Sequence, residues 1–308
     1  MRALSLRNIE TTCGLKDKKN IRCYREVLMS GLPQSLIAVV TGASSGLGRA
    51  LSQSLTEKGL HVIGIARNIG RLEETARNCR AGFFTAIAAD VSCDQEMVRV
   101  ASDIENNMGP VSILVNNAAI CLQQDFLNST SDEINDHIRI NCCGPIIASK
   151  VFIPGMLQRR RGRIINVGSF AGEGPAVGKL GYSVSKAGFR SFSMALATEL
   201  ECHLPSIVVT EWIPGIMATQ IGDDRGLSPS LVASWGAELA LDFRPELHGL
   251  IFLQDRELQN NPSLRRRIAD KVLFRSRRGP YVLSPTLANS ECKNTGPKKK
   301  LLFLSARS

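Results

Sequence analysis

Tyr182 and Lys186 stand four residues apart, a spacing that puts both side chains on one face of a helix. A tyrosine ionises near pH ~10 and is a poor acid or base at neutrality. A neighbouring ammonium favours the phenolate, so the pair is a candidate proton-transfer unit. Ser169, thirteen residues earlier, carries a hydroxyl that could hydrogen-bond a substrate carbonyl. Such a tyrosine–lysine pair is common on helices, and what lies upstream gives it weight. Thr41-Gly-Ala-Ser-Ser-Gly-Leu-Gly48 sits between an apolar run and a helical pattern. Glycines there allow a tight turn and the close approach of a pyrophosphate to a helix N-terminus. Gly42, Ser44, Ser45, Gly46, Leu47 and Gly48 are therefore candidate cofactor residues. No Gly-Lys-Ser/Thr follows, which excludes a P-loop.

An adenine ribose held at that loop would reach the next strand end, about 20 residues onward. Arg67 stands there, after Gly64-Ile-Ala66, and no carboxylate does. An acid would accept from a free 2′-hydroxyl, whereas an arginine suits a 2′-phosphate. NADP(H) is expected over NAD(H).

The elements that must position these residues alternate regularly. Apolar runs predict strands at 35–40, 61–66, 83–89, 111–115, 163–167, 206–213 and 250–253. Helical patterns fill the gaps at 46–58, 71–79, 95–107, 131–157, 182–202 and 229–241. The long fourth helix opens on a capping-box pattern, Thr130 with Glu133, and Ser228-Pro229 opens the last. Strands apolar throughout, each followed by a helix, mean a parallel sheet covered on both faces. The expected class is α/β, a doubly wound parallel sheet in a single domain, with its ligand beyond the carboxyl ends of the strands.

Composition narrows the function classes. The chain has 308 residues, 44% of them hydrophobic, which excludes a disordered protein. No unbroken run of about 18 apolar residues occurs, so no membrane-spanning helix is expected. The net charge of +10 is unevenly placed: residues 255–308 carry thirteen Lys or Arg against four Asp or Glu. The basicity belongs to that tail, so the fold gives no case for binding nucleic acid. Residues 1–34 read as a basic N-terminal extension outside the core, with Met29 as an alternative start, and 35–254 as the catalytic domain. The nine cysteines form no C-x-x-C pair and the four histidines lack zinc-ligand spacing, so no metal site and a cytoplasmic setting are expected.

With the elements placed, the residues resemble the short-chain dehydrogenases/reductases, and within them 3-oxoacyl-[acyl-carrier-protein] reductases. The match runs from about Ser35 to Gln254. It includes the 41–48 loop, Asp90, Asn116-Asn117-Ala118, Asn141, Ser169, Tyr182, Lys186, and Pro214-Gly215 with Thr219. The resemblance implies a Rossmann-like fold and a carbonyl–alcohol oxidoreductase. In it Tyr182 is the acid–base, Ser169 orients the carbonyl, and Lys186 holds the nicotinamide ribose and tunes Tyr182. Asn141 completes a proton relay, Asp90, Val91 and Asn117 lie near the adenosine, and Met217 and Thr219 near the carboxamide. The residues themselves support Asn141: Pro145 has no N–H, so the Asn141 carbonyl loses its helical partner. The implied partners are a small-molecule carbonyl or alcohol and further copies of the chain, as a homodimer or homotetramer. An acyl carrier protein is a further expected partner, with the basic run Arg159-Arg-Arg161 and Arg163 as its receiving patch. The chain departs from the family in ending Asn-Asn-Ala with Ala119, and in lacking Val-Asp-Gly-Gly beyond Gly249. A catalytically silent dinucleotide sensor or scaffold is the competing class, and retention of both Tyr182 and Lys186 counts against it.

Overall fold

Ile37-Ala-Val-Val-Thr41 is buried at every position, so this first strand must be covered on both sides. In the computed structural model, which describes residues 36–123, 125–175, 177–219, 221–259 and 278–283, it is. The strands are β1 (Ile37–Thr41), β2 (His61–Ala66), β3 (Phe84–Ala88), β4 (Val111–Asn116), β5 (Gly162–Val167), β6 (Ile207–Ile213), β7 (Ile251–Leu253) and β8 (Arg256–Glu257). They form one sheet in the order β3-β2-β1-β4-β5-β6-β7-β8, parallel except for the final antiparallel pair. The α-helices are α1 (Gly46–Glu57), α2 (Ile69–Asn78), α3 (Asp94–Asn107), α4 (Ser131–Ile138), α5 (Gly144–Gln158), α6 (Leu180–Leu200) and α7 (Pro229–Leu241).

The pleat divides the core in two. Ala38 and Val40 face one side, with Leu51 and Leu55 of α1 and Val232 and Leu239 of α7. Ile37 and Val39 face the other, with Met97 and Ile104 of α3, Phe152 of α5 and Leu200 of α6. Alternate residues of one strand thus feed opposite layers. The order reverses between β1 and β4, which is where such sheets open a crevice for ligand.

Three expectations need correction or extension. First, the Ser131–Gln158 stretch, 28 residues that include an 18-residue window of mean hydropathy 1.4, is long and apolar enough to cross a membrane by length and composition. Counting unbroken apolar runs passed it over. Its apolar residues Ala148, Phe152 and Met156 are fully buried in the second core layer, while 39% of the apolar window as a whole is buried. Second, Arg163 does not belong to a surface patch. It is fully buried, donating from Nε to Leu239 O at 3.1 Å and from one Nη to Ile164 O and Val208 O, each at 3.1 Å. Burial pulls its guanidinium down to about 9, with Asp242 opposing. Of its supposed companions, Arg159 pairs with Glu105 and Arg161 lies over the Phe243 ring. The run precedes β5, at the end of the strand opposite Ser169.

Third, the sheet continues beyond Gln254. Strand β8 and residues 278–283 pack on it, with Leu283 buried and Arg278 paired to Glu257 at 2.6 Å. The N-terminal extension 1–34 and the basic runs Arg265-Arg-Arg267 and Lys298-Lys-Lys300 lie outside the described residues.

Candidate active site

The Thr41 side chain ties β1 to β4. Its hydroxyl donates to Val115 O at 3.3 Å and accepts from the amides of Asn117 and Ala118 at 3.0 and 3.1 Å. Asn117 Nδ2 donates in turn to Thr41 O at 2.8 Å, so Asn117 holds the loop itself. The chain turns at Gly42 with φ 69°, where a Cβ would lie 2.7 Å from Ala118 Cα. At Gly48 a Cβ would lie 2.2 Å from Gly42 O, so a side chain is excluded from the first turn of α1. That helix has no acidic residue in its first turn and no side-chain cap, which keeps its positive end available to an anion. The cradle fits a pyrophosphate.

The loop opens into a cavity of about 1320 Å³. A single-ligand pocket is usually ~300–1,000 Å³; this one is larger. Of the catalytic and cofactor-binding residues expected from the sequence, all line it except Asn141. Arg67 lies at the rim with Arg49, Asn68 and Arg71, three residues the sequence reading missed. Arg71 is one helical turn beyond Arg67, a spacing that was readable. Arg49 is engaged already, with Glu74 at 2.9 Å and Ser44 O at 2.7 Å. Asp90 accepts from the hydroxyl and amide of Ser92 at 2.7 and 2.9 Å. Burial opposes its charge, but those hydrogen bonds, with Arg67 and Arg139, prevail and hold its carboxyl below the usual range.

At the other end of the cavity, α6 presents Tyr182 and Lys186, both buried. Tyr182 shares a side-chain hydrogen bond with Ser169, which follows β5. Burial pushes the Tyr182 phenol above its ordinary value, and the Ser169 bond only partly opposes this. The expected lowering by Lys186 is not seen. The Lys186 ammonium donates to Val167 O at 2.8 Å, with Nζ 5.9 Å from the Tyr182 ring centre. Burial brings that ammonium down to about 8, with Glu211 as the largest opposing influence.

Asn141 lies below the cavity in a π-helical turn, Arg139–Cys143, between α4 and α5. The turn precedes Pro145, whose missing N–H disrupts the regular ladder. The fully buried Asn141 side chain accepts from Ile120 N and donates to Ile120 O, both at 2.8 Å, and donates to Ser185 Oγ at 3.0 Å. One turn earlier, buried His137 accepts from Leu122 N through Nε2 at 3.1 Å. Together they hold the loop after β4 against α4. His137 was read as one of four scattered histidines; its spacing of four from Asn141 was the available signal. Across the cavity, the segment after β6 folds on itself through Ala218 N to Leu227 O at 3.0 Å and Leu227 N to Ile216 O at 2.9 Å. This brings Met217 and Thr219 against the glycine loop, with Thr219 Cγ2 3.6 Å from where a Gly46 Cβ would stand.

Residues 36–228 match the family model described as short chain dehydrogenase. Carbonyl reductase family member 4 of Xenopus laevis is 33% identical over 190 residues, covering 62% of this chain and 79% of that protein. The 3-oxoacyl-[acyl-carrier-protein] reductase FabG of Pseudomonas aeruginosa is also 33% identical over 190 residues, covering 61% and 76%. Among solved structures, a variant of actinorhodin polyketide ketoreductase with NADPH superposes with a TM-score of 0.66 at 27% identity, covering 71% of this chain and 95% of that one. A match over most of the described sheet, together with reductase relatives on the same fold, makes this chain an oxidoreductase of the short-chain dehydrogenase/reductase family.

Proposed function

We propose that the chain reduces a carbonyl on an apolar small molecule to a secondary alcohol, using NADPH and Tyr182 as the acid. The observation that carries this reading is the placement of Tyr182, hydrogen-bonded to Ser169 and beside Lys186, in the cavity that the glycine loop opens. Bound at that loop, the dinucleotide supplies a hydride from nicotinamide C4. Ser169 and Tyr182 hold the carbonyl oxygen, and Tyr182 gives it a proton as the carbon is reduced. Lys186 binds the nicotinamide ribose and stabilises the phenolate that the transfer leaves. The backbone carbonyl of Asn141 holds the water that returns the proton. Arg67, with Asn68 and Arg71 beside it, receives the 2′-phosphate. Leu122, Phe170, Ile216 and Ile221 line the cavity and are exposed, which supports an apolar body next to the carbonyl.

A carrier-bound acyl substrate draws support from the FabG relative alone, since the Arg159–Arg161 run lies at the far end of β5. A homo-oligomer accords with the exposed Ile146, Val184 and Met194 on α5 and α6. A cytoplasmic setting accords with the six cysteines that are free among the described residues. The silent-sensor reading has no observation in its favour.

The test is oxidation of NADPH and NADH over a carbonyl panel that includes aliphatic and aromatic ketones and a 3-oxoacyl thioester. Turnover with NADPH on an apolar member is expected. Arg67→Ala should weaken NADPH binding by about 1.5–3 kcal/mol, the scale of a charged hydrogen bond, and leave NADH binding unchanged. Equal titration curves for the two cofactors in the unaltered protein would overturn the NADPH assignment.

A further inference from the structure

Glu211 is a buried carboxylate for which the proposed reaction has no use. It lies on β6 opposite Asn166 of β5, is 4% exposed, and neither of its oxygens accepts a hydrogen bond among the described residues. A buried charge left so needs a partner of opposite sign nearby. Arg190 is one, with Nη1 3.6 Å from Glu211 Oε1 and 2.6 Å from the half-exposed Glu173. Tyr182, Lys186 and Arg190 follow one another at intervals of four along α6, so they form one stripe facing the sheet ends.

The position of the carboxylate is marked by Gly168. A Cβ there would lie 2.4 Å from Glu211 Oε1, so the carboxylate fills the space that a side chain at 168 would need. Gly168 is flanked by Val167, whose carbonyl accepts from Lys186, and by Ser169, which bonds Tyr182. Glu211 therefore packs directly behind the short backbone segment that holds both groups.

We propose that Glu211 is a positioning residue, whose carboxylate, kept charged by Arg190, holds the proton on Lys186. The proposal rests on the role given to Lys186 above. Lys186 sits fully buried where its ammonium is disfavoured, and the nearby carboxylate restores the charge that the ribose and phenolate require. The influence runs both ways: burial, the largest influence, raises the Glu211 carboxyl overall, with Arg190 and Lys186 opposing the rise and Glu173 adding to it. The other ionisable groups facing this pair are Cys121 after β4 and Cys142 in the π turn. On the β7 side stands His248, whose ring meets Val209 N at 3.3 Å and Ala197 O at 2.6 Å.

The test is an NMR titration of the Lys186 side chain in ¹³C-lysine-labelled full-length protein, assigned by the signal lost in Lys186→Arg. Glu211→Gln keeps the shape and removes the charge. The Lys186 midpoint is expected to fall by about one unit or more, the scale of one close opposite charge. Glu173→Gln, at the solvent end of the chain of charges, should move it much less. An unchanged midpoint in Glu211→Gln, or an equal fall in Glu173→Gln, overturns the proposal. Should Glu211→Gln fail to fold, Glu211→Met removes the same charge while keeping most of the side-chain bulk. The Lys186 midpoint should fall there too, and an unmoved one overturns the proposal. The titration requires no turnover, so its outcome is separate from that of the catalytic reading, which a fully active Tyr182→Phe would sink.

Discussion

Around the glycine loop between β1 and β4 the cavity wall is mostly backbone, with Arg49, Arg67 and Arg71 beside it. Gly42 and Gly48 pack so closely that a Cβ would overlap neighbouring main-chain atoms, and the groups around them are amides, carbonyls and short polar side chains. Beyond β4 the wall is built from long side chains carried into the interior. The four buried residues of formal charge among those described, Arg163, Lys186, Glu211 and Glu257, all lie in this second half. The two halves face different demands. A pyrophosphate needs only oriented amides and room, which turns supply at little energetic cost. Proton transfer needs an ionisable group whose affinity is tuned, and burial is what tunes it. The first half is therefore shaped by steric exclusion and the second by desolvation.

Three variants sharpen or break that contrast. Tyr182→Phe has the largest expected effect. It keeps the ring and its packing but removes the proton, so turnover should fall about 10²–10⁴-fold while cofactor affinity survives. Steady-state rates beside fluorescence titration of cofactor decide it. Retention of more than about a third of the activity, far outside that range, would show that another group carries the proton.

Lys186→Met comes next, and its sign is opposite for function and stability. The folded state lowers the Lys186 ammonium from 10.5 to about 8. The unfolded chain therefore binds more protons between those values, and stability rises with pH across that window. Below about pH 8 the penalty for burying the charge is fully present. Removing it should stabilise the protein at neutral pH by up to about 3 kcal/mol, with the gain fading toward pH 10, while turnover is lost. Urea unfolding at several pH values measures this. A variant less stable than the parent at pH 7 would show that packing of the lysine stem outweighs its desolvation.

Gly48→Ala should have the smallest effect, and in the first half of the sheet only. Overpacking against Gly42 O should weaken cofactor binding by about 1–3 kcal/mol. Urea unfolding of the apo variant separates loop distortion from general destabilisation. Unchanged affinity would mean that the loop relaxes freely, and that the first half is less constrained than its contacts imply.

The same contrast governs what could be read beforehand. The glycine loop, the alternation of elements and the Tyr182–Lys186 interval are local, so spacing alone carried them. The Thr130–Glu133 capping box is local too, and both of its hydrogen bonds form as expected. Arg163 was misplaced because a run of arginines looks solvated in sequence. Only the pairing of β5 with β6 and the approach of α7 bring the Val208 and Leu239 carbonyls to its guanidinium.

By itself, then, the chain's order of residues determined a doubly wound sheet, the glycine turn at the end of β1, and the helix stripe bearing Tyr182. These depend on contacts a few residues apart and on periodicity. The tertiary structure alone decided the upward shift of the Tyr182 phenol and the downward shift of the Lys186 ammonium, the clamp of His137 and Asn141 on the loop after β4, and the approach of Glu211 to Gly168. Those properties come from burial and from neighbours distant in sequence. The dielectric around a side chain is set by everything packed against it, and no spacing rule encodes that.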